Sequence, residues 1–147
     1  MWDMSISAAY TEKMSETKER RYNMGYKPYI HESVEQTNLF RWAAYELGKY
    51  PELKLMYHIP NGGSRNKLEA ANLKRQGVKP GVPDICLPVA RGAYHGLYIE
   101  MKAGQNKASE NQKQWLSDLK EQGYYTVICY GWSAAAEVIT NYLEGRE

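Results

Sequence analysis

Three side chains in the middle of the chain, Asp84, Glu100 and Lys102, have types and spacing that suit the chemistry of phosphates. Asp84 follows a proline and opens the short apolar run Ile85 to Val89. Glu100 and Lys102 sit two apart in LYIEMK, residues 97–102, a run whose alternation predicts a strand. Strand side chains repeat every two residues, so Glu100 and Lys102 share one face, and Leu97, Ile99 and Met101 share the opposite, buried one. If the two runs pair, both carboxylates reach one end of a sheet. Two carboxylates from neighbouring strands make a hard-oxygen site of the kind that Mg²⁺ or Mn²⁺ takes. A lysine beside such a site can position or deprotonate an attacking water, or neutralise a pentavalent phosphorane. The carboxylates favour its ammonium form, whereas burial and a cation favour the neutral amine, so both roles stay open.

The elements that must hold these groups can be read around them. Residues 31–48 predict a helix with Val34, Leu39, Phe40, Ala43 and Leu47 on a broad apolar stripe, stopped by Gly48. LKLMYHI, residues 53–59, predicts a strand, and PNGG after it a turn. Residues 66–76 predict a second helix with Leu68, Ala71 and the stem of Arg75 on one face. Pro80 to Pro83 must be extended or turning, because residues before proline avoid the helical region. Residues 91–96 predict a hairpin-like turn and residues 103–108 a loop. Ser109, with Gln112 three residues on, forms a capping box that starts a helix running to Gly123. Residues 124–130 (YYTVICY) predict a strand, and Ser133 a cap for a last helix reaching Leu143. This order predicts an α/β fold, a mixed central sheet flanked by helices.

Composition narrows the field. The chain has 147 residues, 43% hydrophobic and 12% aromatic, enough for one domain with its own core. No apolar run is long enough for a membrane span, and residues 1–30 carry no secretory h-region. The two cysteines, Cys86 and Cys129, lie in apolar runs and read as buried thiols in a reducing cytoplasm. Cys and His are too few for a zinc ribbon or finger. A net charge of +2 excludes a strongly basic DNA-coating protein, while leaving room for locally placed lysines. Residues 1–28 are polar and of mixed charge without a period, and read as an N-terminal arm ahead of a domain at 29–147. No Ser/His/Asp or Cys/His arrangement suggests a covalent mechanism.

Pro83-Asp84, fifteen intervening residues, then Glu100-Met101-Lys102 resembles the PD-(D/E)xK nuclease signature. Its surroundings sharpen it. HIPNGG from His58, GVKPGVPDI from Gly77, YIEMK from Tyr98 and SENQ from Ser109 follow in the order of the virus-type replication-repair nuclease (VRR-NUC) domain. The resemblance covers about residues 29–143. It implies a restriction-endonuclease-like fold, Asp84 and Glu100 as metal ligands, Lys102 as the catalytic lysine and the Met101 backbone carbonyl as a further ligand. It implies that Gln112 orients water or a phosphate, and that the first helix supplies a glutamate. Glu32 and Glu35 both qualify, with Glu35 preferred because it directly precedes Gln36 and the NLFRW run. The implied activity is Mg²⁺- or Mn²⁺-dependent hydrolysis of branched, flapped or junction DNA in phage or bacterial replication, recombination or repair. A homodimer in the cytoplasm of a bacterial or phage-infected cell is the accompanying expectation. A non-catalytic nucleic-acid-binding subunit on the same scaffold is the alternative, and the intact Asp84, Glu100 and Lys102 speak against it.

A charge pattern points the same way. Between Lys54 and Lys79 there are six basic residues (Lys54, Arg65, Lys67, Lys74, Arg75, Lys79) and one acid, Glu69. The PNGGSRNK loop within this stretch, starting from Pro60, offers backbone N–H groups at a helix start, a ready anion site. Asn61, Ser64, Arg65, Lys67, Lys74 and Lys79 are the candidate phosphate contacts, of a type that binds without reading sequence. His58 has two readings, a general base or ligand, or a satisfied residue at a strand end. Tyr57, Tyr94 and Tyr98 could stack on bases, though tyrosine is common on sheets.

Overall fold

The computed structural model describes residues 31–61 and 66–146. The arm expected at 1–28 and the tip of the PNGGSRNK loop, with Ser64 and Arg65, lie outside the described residues. Helix α1 spans Glu32–Glu46, a 3-10 turn Pro51–Leu55, β1 Tyr57–His58, α2 Lys67–Arg75, β2 Ile85–Leu87, β3 Leu97–Lys102, α3 Glu110–Glu121, β4 Tyr125–Tyr130 and α4 Trp132–Leu143. The strands form one four-stranded sheet in the order β1-β2-β3-β4. The pairs β1–β2 and β2–β3 are antiparallel, and β3–β4 is parallel. A parallel neighbour needs a crossover, and α3 supplies it. The sheet is mixed and the fold α/β, as expected.

Period-two alternation assigns the two faces of the sheet. Leu97, Ile99 and Met101 of β3 enter a cluster with Ile85 and Leu87 of β2, Leu39 and Ala43 of α1, and Ala135, Ile139 and Tyr142 of α4. Helices α1 and α4 pack on each other and on β3. The other face meets α3: Thr126 donates its hydroxyl to Leu116 O at 3.1 Å. Tyr142 is fully buried, and its hydroxyl donates to Val89 O at 2.6 Å, so its polar tip is satisfied. Cys86 and Cys129 are free and buried.

Four local expectations need correction. The first half of LKLMYHI coils as the 3-10 turn after Pro51, leaving two residues of strand; a proline at the first helical position favours the turn over the alternating pattern. Helix α2 buries none of its residues: Leu68 is 71% exposed, and Leu73 rather than Leu68 or Ala71 is half-buried. Ser133 does not cap α4. The helix starts at Trp132, after Gly131 at φ 89°, so Ser133 lies inside its first turn. Of the expected α1 stripe, Leu39 and Ala43 are buried and Phe40 packs against the core, but Val34 and Leu47 are substantially exposed.

Candidate active site

Asp84 stands directly before β2, after a fully buried Pro83. Its backbone carbonyl accepts from Ile59 N at 2.7 Å and faces the His58 ring, with Nδ1 at 2.8 Å. Its side-chain Oδ2 accepts from Met101 N at 2.8 Å. Asp84 is thereby tied by its main chain to the β1 end and by its carboxylate to the middle of β3. His58 takes its structural reading, since its ring partners a backbone carbonyl.

Glu100 is 1% exposed, and Lys102 is 5% exposed. Lys102 Nζ donates to Glu100 Oε1 at 2.7 Å, and Gln112 Nε2 donates to the same oxygen at 2.5 Å. Gln112 serves two ends at once. Its own side-chain oxygen accepts from Ser109 N at 2.8 Å, completing the capping box of α3. One side chain thus both caps α3 and holds the Glu100 carboxylate. Burial, with the negative charge of Asp84 added, pushes the Glu100 carboxyl up to about 7, against the donor from Lys102. Burial also raises Asp84, opposed by the Met101 N–H and the Lys102 charge. For Lys102, burial pulls its pKa down, but the hydrogen bond and charge of Glu100, joined by Glu32 and Asp84, raise it overall.

The first helix divides its two glutamates. Glu32 turns toward the site: its Oε1 lies 3.5 Å from Lys102 Nζ and accepts from Asn106 Nδ2 at 3.1 Å. Glu35 turns away, and its Oε2 accepts from Trp132 N at 2.6 Å, at the N-terminus of α4. The preference for Glu35 as the helix-one acid is therefore corrected to Glu32. Glu35 supplies the cap that Ser133 does not, at a helix end that favours negative charge. A Cβ at Gly131 would sit 3.4 Å from that carboxylate, and the residue's positive φ suits glycine alone. Gly131 N in turn donates to Lys102 O at 2.9 Å, so the capped helix holds the end of β3.

Whether these residues suit a hard cation is decided by one atom. Glu100 Oε2 is buried and has no hydrogen-bond partner. An unpaired buried carboxylate oxygen is costly, and a cation removes the cost. Asp84, Glu100 and the Met101 carbonyl next along β3 form an all-oxygen donor set, which fits Mg²⁺ or Mn²⁺. The expected third carboxylate is less directly placed: Glu35 is engaged at α4, and Glu32 reaches the site through Lys102 Nζ, 3.5 Å away. Consistent with this, no group of three or more His, Cys, Asp or Glu side chains is gathered for a metal among the described residues. Mg²⁺ keeps several waters and needs only one or two carboxylates.

The basic stretch divides as well. Lys54, Lys67, Lys74, Arg75 and Lys79 are exposed. Asn61 instead donates to Val82 O at 3.0 Å, tying the entry of the loop to the turn before Asp84. Asn106, which steadies Glu32, was missed from the sequence. It is one polar residue in a loop, and no period or spacing marks it. Among the described residues no helix is long and apolar enough to cross a membrane.

Comparison with known proteins agrees with this geometry. The family model for the VRR-NUC domain matches residues 26–132. A solved structure described as a VRR_NUC domain protein is 35% identical, with a TM-score of 0.68 over 79% of this chain and 90% of that one. No curated protein matches. With most of its length inside the match, and with the motif residues drawn to one end of the sheet, the chain belongs to the VRR-NUC family of nuclease-type domains.

Proposed function

We propose that the protein is an Mg²⁺- or Mn²⁺-dependent DNA endonuclease. The observation that supports it most is the buried, unpartnered Glu100 Oε2 in a cluster with Asp84, Lys102 and Gln112. Asp84, Glu100 and the Met101 carbonyl would hold the ion, which when bound supplies positive charge to polarise water and the phosphate. Lys102 presents an ammonium donor to the attacking water and to the phosphate oxygens, where negative charge grows. Gln112 fixes Glu100 Oε1, leaving Oε2 without a partner and available to the ion. The water oxygen bonds to phosphorus, the bond from phosphorus to the 3′-oxygen breaks, and a 5′-phosphate and a 3′-hydroxyl result. Exposed Lys67, Lys74 and Lys79, with Arg65 of the loop, would neutralise backbone phosphates near the site, and Ser64 would donate a hydrogen bond to one.

Family membership supports a preference for branched, flapped or junction DNA, and a homodimer would let two such sites cut opposing strands. The setting that suits this work is replication, recombination or repair in a bacterial or phage-infected cell. Purified protein incubated with junction, flap and linear DNA should cleave the branched substrates with Mg²⁺ or Mn²⁺, and not with EDTA or as Asp84→Ala. Cleavage that survives either change would sink the proposal. Binding without cleavage under any metal would instead favour a non-catalytic DNA-binding subunit.

A further inference from the structure

We propose that the cleft between the end of α2 and the outer face of α3 binds single-stranded DNA, with one unstacked base laid on Trp115. The inference rests on the nuclease reading for its substrate class. The cleft has a volume of about 550 Å³ and is lined by Lys74, Lys79, Pro80, Asn111, Gln114 and Trp115, among others. That is within the range of small-ligand pockets and is ample for one nucleotide.

The ring is fixed in place. Trp115 Nε1 donates to Pro80 O at 3.0 Å, and Asn111 Nδ2 donates to the same carbonyl at 3.0 Å. An indole held by its edge is a preorganised platform for stacking, which loses little freedom when a base arrives. Gly81 makes the approach of this loop to α3 feasible. It has φ 86°, and a Cβ there would lie 2.9 Å from the Asn111 amide.

Charge gives the cleft its direction. Lys74 and Lys79 are exposed on its rim, and neither is in an ion pair among the described residues. The acid in the lining, Asp118, accepts from Gln114 Nε2 at 2.8 Å. Two ammonium groups sharing one cleft with an aromatic ring suit a strand that alternates phosphate and base.

The cleft adjoins the catalytic residues along the chain. Its wall from Gly77 to Pro80 continues through Pro83 to Asp84, and its α3 wall at Asn111 precedes Gln112, which touches Glu100. In this proposal a strand whose phosphate lies at Asp84 and Glu100 places an unpaired neighbour over Trp115. Fully paired DNA cannot, because its bases stay stacked. The cleft would favour substrates with a single-stranded arm.

The test is binding of a fluorescein-labelled oligothymidylate and of a duplex of equal length to the full chain in EDTA, where cleavage plays no part. Trp115→Ala should weaken oligothymidylate binding by roughly 5- to 100-fold, Trp115→Phe by much less, and neither should move duplex binding more than about twofold. The double variant Lys74→Gln/Lys79→Gln should reduce the salt slope for oligothymidylate by about 1.4, the value for two phosphate contacts on a single strand. Melting temperatures of the variants separate misfolding from lost contact, and Trp115→Phe carries the test if the alanine variant does not fold. The proposal is overturned if wild type does not bind oligothymidylate, if both Trp115 variants bind like wild type, or if duplex binding falls equally. Because no metal or turnover is involved, these outcomes are independent of whether Asp84→Ala abolishes cleavage.

Discussion

Glu100 is held ionisable in a place that disfavours its charge, and the consequences can be measured. Its folded pKa is pushed up from 4.5 to about 7, so between those values the folded protein binds more protons than the unfolded chain. Stability from this group is then present at low pH and declines as pH rises toward about 7, by an amount of order 1–3 kcal/mol. In EDTA, the melting temperature of wild type relative to Glu100→Gln should fall by several degrees between about pH 5 and about pH 8. Mg²⁺ should restore it at the higher pH and do little at the lower. A difference that does not change with pH, or a restoration equal at both, would contradict the account. At this scale the sequence was informative where chemistry depends on residue type: Asp84, Glu100, Lys102 and Gln112 do come together. The choice between Glu32 and Glu35 was not legible. Residues three apart on a helix point within a fraction of a turn of each other, so only the rotation of α1 against β3 and α4 separates them.

The element whose start matters most is α4. Its first N–H, that of Trp132, is served from another helix by Glu35, and the N–H of Gly131 just before it holds the last carbonyl of β3. Glu35→Ala should cost about 1 kcal/mol of stability, as removal of an N-cap does, read by urea denaturation. Its Mg²⁺ affinity, read as the shift in melting temperature, should stay within about twofold of wild type. Loss of the metal-induced shift in Glu35→Ala, with retention in Glu32→Ala, would return Glu35 to the ligand set. Elements with local signals were readable, such as β3 by its alternation and α3 by its capping box. The α4 cap was not readable, because a glutamate 97 residues away in the chain cannot be seen in the local pattern around Ser133. Helix α2 misled for the opposite reason. Its spacing allows an apolar face, but among the described residues Leu68 is left 71% exposed.

At the scale of the molecule, one cluster joins the sheet to α1 and α4 and leaves the catalytic end to smaller polar contacts. Ile139, fully buried at the centre of that cluster, should cost about 2–5 kcal/mol as Ile139→Ala, measured by denaturant unfolding. A loss under about 1 kcal/mol would mean that the cluster is not the main source of stability. The thiols give an independent check. Cys86 and Cys129 are each 3% exposed, and burial pushes the Cys129 thiol up to about 12, so neither should react with a thiol reagent at neutral pH until the chain unfolds. The α/β class was legible because helical and strand periods alternate along the chain. The size of each strand was not, since pairing partners rather than propensity decide where a strand ends.

The parallel pairing of β3 with β4 has a temporal consequence. Glu100 and Lys102 leave the ribosome before Gln112, and the strand and helix that clamp Lys102 from behind come later still. A nascent chain paused after residue 102 would hold every acid and base of the motif without the frame that aims them. The site would then be assembled late in synthesis, so that partly made copies would lack it.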